Sequence, residues 1–131
     1  MTSAVTERQD VRTLKNEVAC ENGMVVYRLL VPIDDEEAER IDTVGRSFLD
    51  SKDADRVLID IRRSSYFSSA ARKRWAGFLR HPNIKKTAIF GGNTFVRTLA
   101  TFVIGASQKK NIRFFATEHE AIEWLRADEE A

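Results

Sequence analysis

Met1 to Asp10 are polar and show no strong periodicity, which predicts a loose arm and places the start of the fold near Val11. From Val11 to Cys20 apolar and polar residues alternate weakly, and Met24 to Val31 is rich in β-branched and aromatic residues. Between them Asn22-Gly23 favours the positive backbone angles of a tight two-residue turn, so the two stretches predict a hairpin. Pro32 closes the second strand. Asp34 with Glu37 three residues later has the form of a capping box, and Ala38, Ile41, Val44, Phe48 and Leu49 recur at three- and four-residue steps. This predicts a helix to about Asp50, with its apolar stripe in the core and its acids on a solvated face.

Val57, Leu58, Ile59 and Ile61 form a short, nearly continuous apolar run, the signature of a strand buried on both faces in the middle of a parallel or mixed sheet. A second helix is expected from Ser68, whose hydroxyl can cap its first turn, with Ala71, Trp75, Phe78 and Leu79 on the inner side and His81-Pro82 at its end. Lys86 to Phe90 reads as the next strand. Gly91-Gly92-Asn93 breaks it, and the third helix is expected to bury Phe95, Leu99, Phe102, Val103 and Ala106. Asn111 to Phe115 is a last strand. Thr117 and Glu120 repeat the capping-box spacing before a final helix with Ala121, Ile122 and Leu125 inward. The order β-β-α-β-α-β-α-β-α predicts a single-domain α/β fold over residues 11–127, a mixed sheet with packed helices, preceded by the 1–10 arm and followed by an acidic 128–131 tail.

With 131 residues and 43% hydrophobic content, the chain can bury a core without disulfides or metals, and the single cysteine, Cys20, reads as a structural thiol. No apolar stretch approaches the roughly 18 residues of a spanning helix, and the polar start lacks a signal-peptide core, so a cytoplasmic protein is expected. The net charge of +1 conceals a division: Ile61 to Thr117 holds 12 Lys or Arg and no acid, while the rest holds 9 basic and all 20 acidic residues. Such a segment can collect anions unless the fold sets the two parts against each other.

The element order, the VLIDIR strand, the Ser-containing helix after it and the closing HEAIEWL resemble the SpoIIAA-like family, a bacterial group related to STAS and Sec14 (CRAL-TRIO) domains; the similarity spans about Val11 to Ala127. The resemblance implies a compact regulatory or ligand-binding module with no common catalytic reaction. In the anti-sigma-factor antagonists of this fold, a serine in an Asp-Ser-Ser-Gly turn starts the helix after the central strand and is phosphorylated by a partner kinase. The local match here is Phe67-Ser68-Ser69-Ala70, which keeps the serine pair and loses the aspartate and the glycine. Ser68 is thus the candidate phosphoacceptor, set against the plainer role of helix cap.

In an open α/β sheet, ligands sit beyond the carboxyl ends of the parallel strands. The loops there contribute Arg62, Ser65, Ser68, Ser69, Gly91, Gly92, Asn93 and Arg97, a set of hydroxyls, backbone N–H groups and guanidinium groups suited to an anionic or lipid-like small ligand or a regulatory protein partner. Phe67, Phe90 and Phe95 could add an apolar component, or belong to the core. Catalysis fares worse. His81 and His119 lack metal-ligand spacing, no G-x-S-x-G elbow exists, and Asp60 could serve an ion pair as readily as a proton transfer; neither cofactor nor metal is expected. Nucleic acid is a weaker alternative through Arg72, Lys73, Arg74, Lys85, Lys86, Lys109 and Lys110 with Tyr66 or Trp75 for stacking, because no recognised binding motif accompanies them. A homodimer, acidic first helix against basic middle, is left open by the sequence.

Overall fold

A computed structural model of the chain describes residues 16–64 and 68–127. The expected arm, the residues 11–15 of the first predicted strand, Ser65, Tyr66, Phe67 and the 128–131 tail lie outside the described residues. The strands are β1 (Glu17–Glu21), β2 (Met24–Arg28), β3 (Arg56–Asp60), β4 (Lys86–Phe90) and β5 (Ile112–Phe115); the helices are α1 (Asp35–Asp50), α2 (Ser69–Leu79), α3 (Thr94–Ser107) and α4 (Glu118–Arg126). The sheet runs in chain order, β1-β2-β3-β4-β5. β1 and β2 pair antiparallel, and every later pairing is parallel. At the hairpin Asn22 and Gly23 have φ values of 52° and 80°, as its turn type requires. The Gly23 carbonyl also accepts from the backbone N–H groups of Asp55 and Arg56, so the turn fixes where β3 begins.

Strand residues alternate between two cores. Val25, Tyr27, Val57, Ile59 and Ile89 face α1, α2 and α3, whereas Met24, Val26, Leu58, Ala88 and Phe90 meet Ala121 and Leu125 of α4. Three helices therefore cover one face and the last helix covers the other. β3 is the central strand, and Val57, Leu58 and Ile59 are buried, as its nearly continuous apolar run predicts, with Asp60 buried at its end.

Three expectations change. Of the expected inner stripe of α3, Val103 is buried and Leu99 is half-buried against the core, but Phe95, Phe102 and Ala106 are exposed, and Val96, Ala100 and Ser107 are buried in their place. Both stripes have helical spacing, and the one with the smaller side chains faces inward, where Val96 and Val103 join the core and Ala100 and Val103 line a cavity with Trp75 and Leu79 of α2. The acids of α1 do not all face solvent. Glu37 is buried, accepting from Asn16 N at 2.9 Å and Asn16 Nδ2 at 3.0 Å, and Asp42 is buried between Arg46 and Arg74. Finally, the two capping boxes form only by half. Asp34 Oδ1 accepts from Glu37 N at 2.8 Å and Thr117 Oγ1 from Glu120 N at 3.2 Å, but Glu37 turns its carboxylate to Asn16 and Glu120 takes the Thr117 hydroxyl.

Tyr27, Trp75 and Phe78 lie edge to face, with centroids 4.8 to 5.6 Å apart, and join β2 to α2. A cavity of about 30 Å³ remains beside them, lined by Leu29, Ile59, Trp75, Ala100 and Val103 among others, too small for an acyl chain. α1 reaches the aromatic trio through Gly45, where a Cβ would overlap the Tyr27 hydroxyl and lie 3.2 Å from Phe78 Cε1. Gly45→Ala is expected to lower stability by about 1–3 kcal/mol in urea unfolding, the usual result of overpacking. In a Tyr27→Phe background, where the overlapped oxygen is gone, the cost should shrink. Equal costs in both backgrounds would place the strain elsewhere.

Candidate functional site at the carboxyl edge of the sheet

The parallel strands end on one row: Arg28, Asp60 and Phe90 are register partners, and Phe115 follows beside Phe90. Asp60, at the end of the buried strand, is itself buried and needs matching charge. Arg28 Nη1 donates to its Oδ2 at 3.0 Å and Arg62 Nη2 at 2.8 Å, while Arg62 donates to Oδ1 from its backbone N at 3.0 Å and from Nε at 3.1 Å. Arg28 reaches on to Glu118 Oε2 at 3.0 Å, tying the row to the first residue of α4. Burial raises the Asp60 pKa, but the hydrogen bonds from Arg62 and Arg28 outweigh it and hold the carboxyl below its usual range. The same partners raise both arginines: Glu118 contributes most for Arg28, and Asp60 for Arg62.

The second loop packs directly on the first. Gly91 and Gly92 have φ values of 83° and 84°; a Cβ on Gly91 would overlap Arg62 Cγ, and one on Gly92 would lie 2.8 Å from Ile61 Cδ1. Close approach and positive φ together explain both glycines. Asn93 Oδ1 accepts from Val96 N at 2.9 Å and caps α3. One turn on, exposed Arg97 lays its guanidinium 5.2 Å over the Phe114 ring.

Ser68 is the N-cap of α2, as its position predicts: its Oγ accepts from Ala71 N at 3.0 Å. The same hydroxyl donates to Asp35 Oδ1 at 2.7 Å, and Ser68 N donates to the Ile33 carbonyl, so one residue fastens the start of α2 to the start of α1. Ser69 follows as the exposed first residue of α2. From Asp35 and Ala70 a surface groove of about 530 Å³ runs between the helices, with Glu36, Glu39 and the Asp42–Arg46 pair on the α1 wall, acidic in sum, and Lys73 and Arg74 on the α2 wall. The acidic helix and part of the basic segment thus already meet inside one chain.

The structure sorts the sequence-derived residues into two groups. Arg62 is committed to Asp60 and stacks 5.1 Å over Phe90 in the α4-side core. Ser68, Ser69, Asn93 and Arg97 belong to the starts of α2 and α3, on the other face. Gly91 and Gly92 bridge the two groups through backbone packing, and Ser65 lies outside the described residues. Phe90 is core and Phe95 is exposed. Three partners were not anticipated from sequence. Asp35 lies 33 residues from Ser68, and Glu118 lies 90 from Arg28, beyond any local spacing rule; Arg28 carried no motif.

Other candidates are placed away from this edge. His81 Nδ1 accepts from Asn83 N, so Nε2 carries the proton and donates to Asp50 Oδ1 at 2.7 Å, joining the ends of α1 and α2. His119 is exposed beside Glu123. Trp75 is buried in the core, where no base could stack. Cys20 is half-buried, and burial followed by nearby Asp53 and Glu21 pushes its thiol pKa up. Among the described residues no group of His, Cys, Asp and Glu could hold a metal, and no helix is long and apolar enough to cross a membrane.

A sequence-family model described as a domain of unknown function, DUF7793, matches residues 21–128. No curated protein matches the sequence. Among solved structures the chain is similar to the anti-sigma factor antagonist SpoIIAA in its unphosphorylated form, at 19% identity over 86% of this chain and 98% of that one, with a TM-score of 0.67. It is similar to the Bacillus cell fate determinant SpoIIAA in the phosphorylated form, at 20% identity over 85% and 99% of the two chains, with a TM-score of 0.64. An uncharacterised DUF3478-family protein from Shewanella loihica, described as having a SpoIIAA-like fold, aligns at 21% identity over 84% and 91%, with a TM-score of 0.63. The chain has the SpoIIAA-like α/β fold that the sequence resemblance implied.

The Asp60 row makes stability pH-dependent with a definite sign. A carboxyl whose folded pKa lies below its unfolded value stabilises the fold above the unfolded pKa, and this contribution disappears as pH falls through the folded one. Asp60→Asn is expected to cost about 1–3 kcal/mol at neutral pH, where Arg28 and Arg62 lose a charged acceptor. The gap between variant and wild type in urea midpoints should close below about pH 3.9, the ordinary aspartate value.

Proposed function

The chain belongs to the family described as a domain of unknown function, DUF7793, and within it we propose a non-enzymatic, cytoplasmic regulatory module that receives a protein partner along the α1–α2 groove, with Ser68 controlling its grip. The observation that carries this reading is the double engagement of the Ser68 hydroxyl, which caps α2 and holds Asp35 at the mouth of a groove with oppositely charged walls. A partner segment carrying both charges would find complementary groups on each wall. Non-enzymatic action fits the candidate groups: Asp60 is matched by two arginines and shifted away from the pKa of a useful general base, and His81 has both ring nitrogens engaged.

Phosphorylation of Ser68 is a second reading, favoured by the same contact. The SpoIIAA structures are described in unphosphorylated and phosphorylated forms. A phosphoryl group at the start of α2 would gain from the helix dipole, yet it would meet the Asp35 carboxylate where the hydroxyl now donates to it. The two anions would repel, and α1 would lose its fastening to α2. An anionic or lipid-like ligand would instead engage the neighbouring Gly91–Asn93 turn and Arg97.

Ser68→Asp retains a capping carboxylate but brings a negative charge to Asp35. In affinity capture from the protein's own cells, a partner retained by wild type should be reduced at least about tenfold by Ser68→Asp, the scale of a lost charged contact. His119→Ala, remote from the groove, should retain it. Undiminished capture by a folded Ser68→Asp variant would overturn the groove reading.

A further inference from the structure

The sheet has two outer edges, and they differ in charge. Its pairings place Cys20, Val25, Val57, Thr87 and Ile112 on one level, Ala19 and Arg113 on the next, and Val18 and Phe114 on the third. β1 and β5 therefore close the two sides of the sheet at the same height, and they run in opposite directions because β1 alone is reversed. Glu17 and Glu21 stand exposed at the ends of β1. Arg113 stands exposed in β5, over the Phe115 and Trp124 rings. None of the three makes an ion pair among the described residues.

Both edges also present unspent backbone groups, the template on which another strand can pair. The two-residue turn makes Glu21 and Met24 a hydrogen-bonded pair, so alternation points the N–H and C=O of Glu17 and Ala19 toward β2 and those of Val18 and Cys20 outward. On the other edge the Asn111 and Phe115 carbonyls accept from Thr87 N and Gly91 N, and the same alternation turns the backbone groups of Ile112 and Phe114 outward. These four residues make no backbone hydrogen bond to any other element among the described residues. Beside Phe114, α3 leaves a hollow of about 270 Å³, lined by Arg97 and three threonines, rather than covering the strand.

We infer that β5 of one copy receives β1 of a second, joining their sheets edge to edge in a head-to-tail array. A copy displaced along the sheet presents β1 antiparallel to β5 without being turned over, so like faces meet. Held level, Val18 lies opposite Phe114 and Cys20 opposite Ile112, all on the three-helix face. These are the residues whose backbone groups point outward, so hydrogen bonds and apolar contacts fall into register together. On the α4 face Arg113 lies opposite Ala19, diagonally between Glu17 and Glu21. Charge rejects the symmetric alternatives: β5 on β5 sets Arg113 against its own copy, and β1 on β1 sets acid against acid. Each junction leaves one edge of either kind free, so the array has no built-in end. This surface is separate from Ser68 and from the α1–α2 groove.

Sedimentation equilibrium of the 131-residue chain over a concentration series tests it. The mean mass should climb past the dimer without a plateau, and climb less as salt screens the Glu–Arg contacts. Arg113→Glu, or Glu17→Lys with Glu21→Lys, should each weaken association at least about tenfold, the scale of like charges set against each other. The β1 substitutions carry the test should Arg113→Glu unfold on losing its ring contacts. Mixing the two variants should restore growth, since every mixed junction then joins opposite charges. A mass that stays monomeric at low salt, stops at the dimer or ignores both sets of substitutions would overturn the proposal. So would a mixture of the two folded variants that fails to grow.

Discussion

The fold turns on what happens at the end of its central strand. β3 is buried on both faces, and its last residue is an acid. A buried carboxylate is costly unless charge and hydrogen bonds surround it. Arg28 from the neighbouring strand and Arg62 from the following loop supply both, and Glu118 answers Arg28 in turn. One isolated charge therefore recruits β2, the β3–α2 loop and α4 into a common network. The Gly91–Gly92 turn then packs on Arg62 and Ile61, so the glycines are fixed by the arginine's position as much as by their own turn.

The two sides of the sheet are built differently as a result. On the α4 side, polar groups at the carboxyl edge satisfy one another, which leaves them little to offer a ligand. On the three-helix side, α1 and α2 meet through a hydroxyl–carboxylate contact and an open groove, while α3 turns an apolar flank outward. Rigidity and recognition are thus divided between the faces of one sheet.

The sequence is legible where the physics is local. Asn22-Gly23 specified the turn, the Val57–Ile61 run specified a strand buried on both faces, and Asp34, Ser68 and Thr117 specified helix starts. On α3 periodicity left the orientation ambiguous, because two stripes one residue apart carry similar apolar content: Val103 is buried as expected, while Phe95 and Phe102 give way to Val96 and Ala100. At the candidate edge, Ser68 was legible as a cap but its bond to Asp35 was not, since tertiary folding brings the two together. Arg62 was legible as a cation near the edge. Its commitment to Asp60 depends on the strand ending at residue 60, so that the chain can turn back on the carboxylate.

The strand order has a consequence for how the molecule assembles. Each strand pairs with the one just before it in the chain, so every new pairing adds to an edge that already exists. Loop closures stay short for a mostly parallel sheet, which favours rapid folding, and a chain emerging from the ribosome could extend the sheet strand by strand. The exception is α4, which must cross to the opposite face and close on Arg28, 90 residues earlier. Until that helix is made, Met24, Val26, Leu58, Ala88 and Phe90 lack their cover, and the final nine-residue helix acts as the latch of the synthesis.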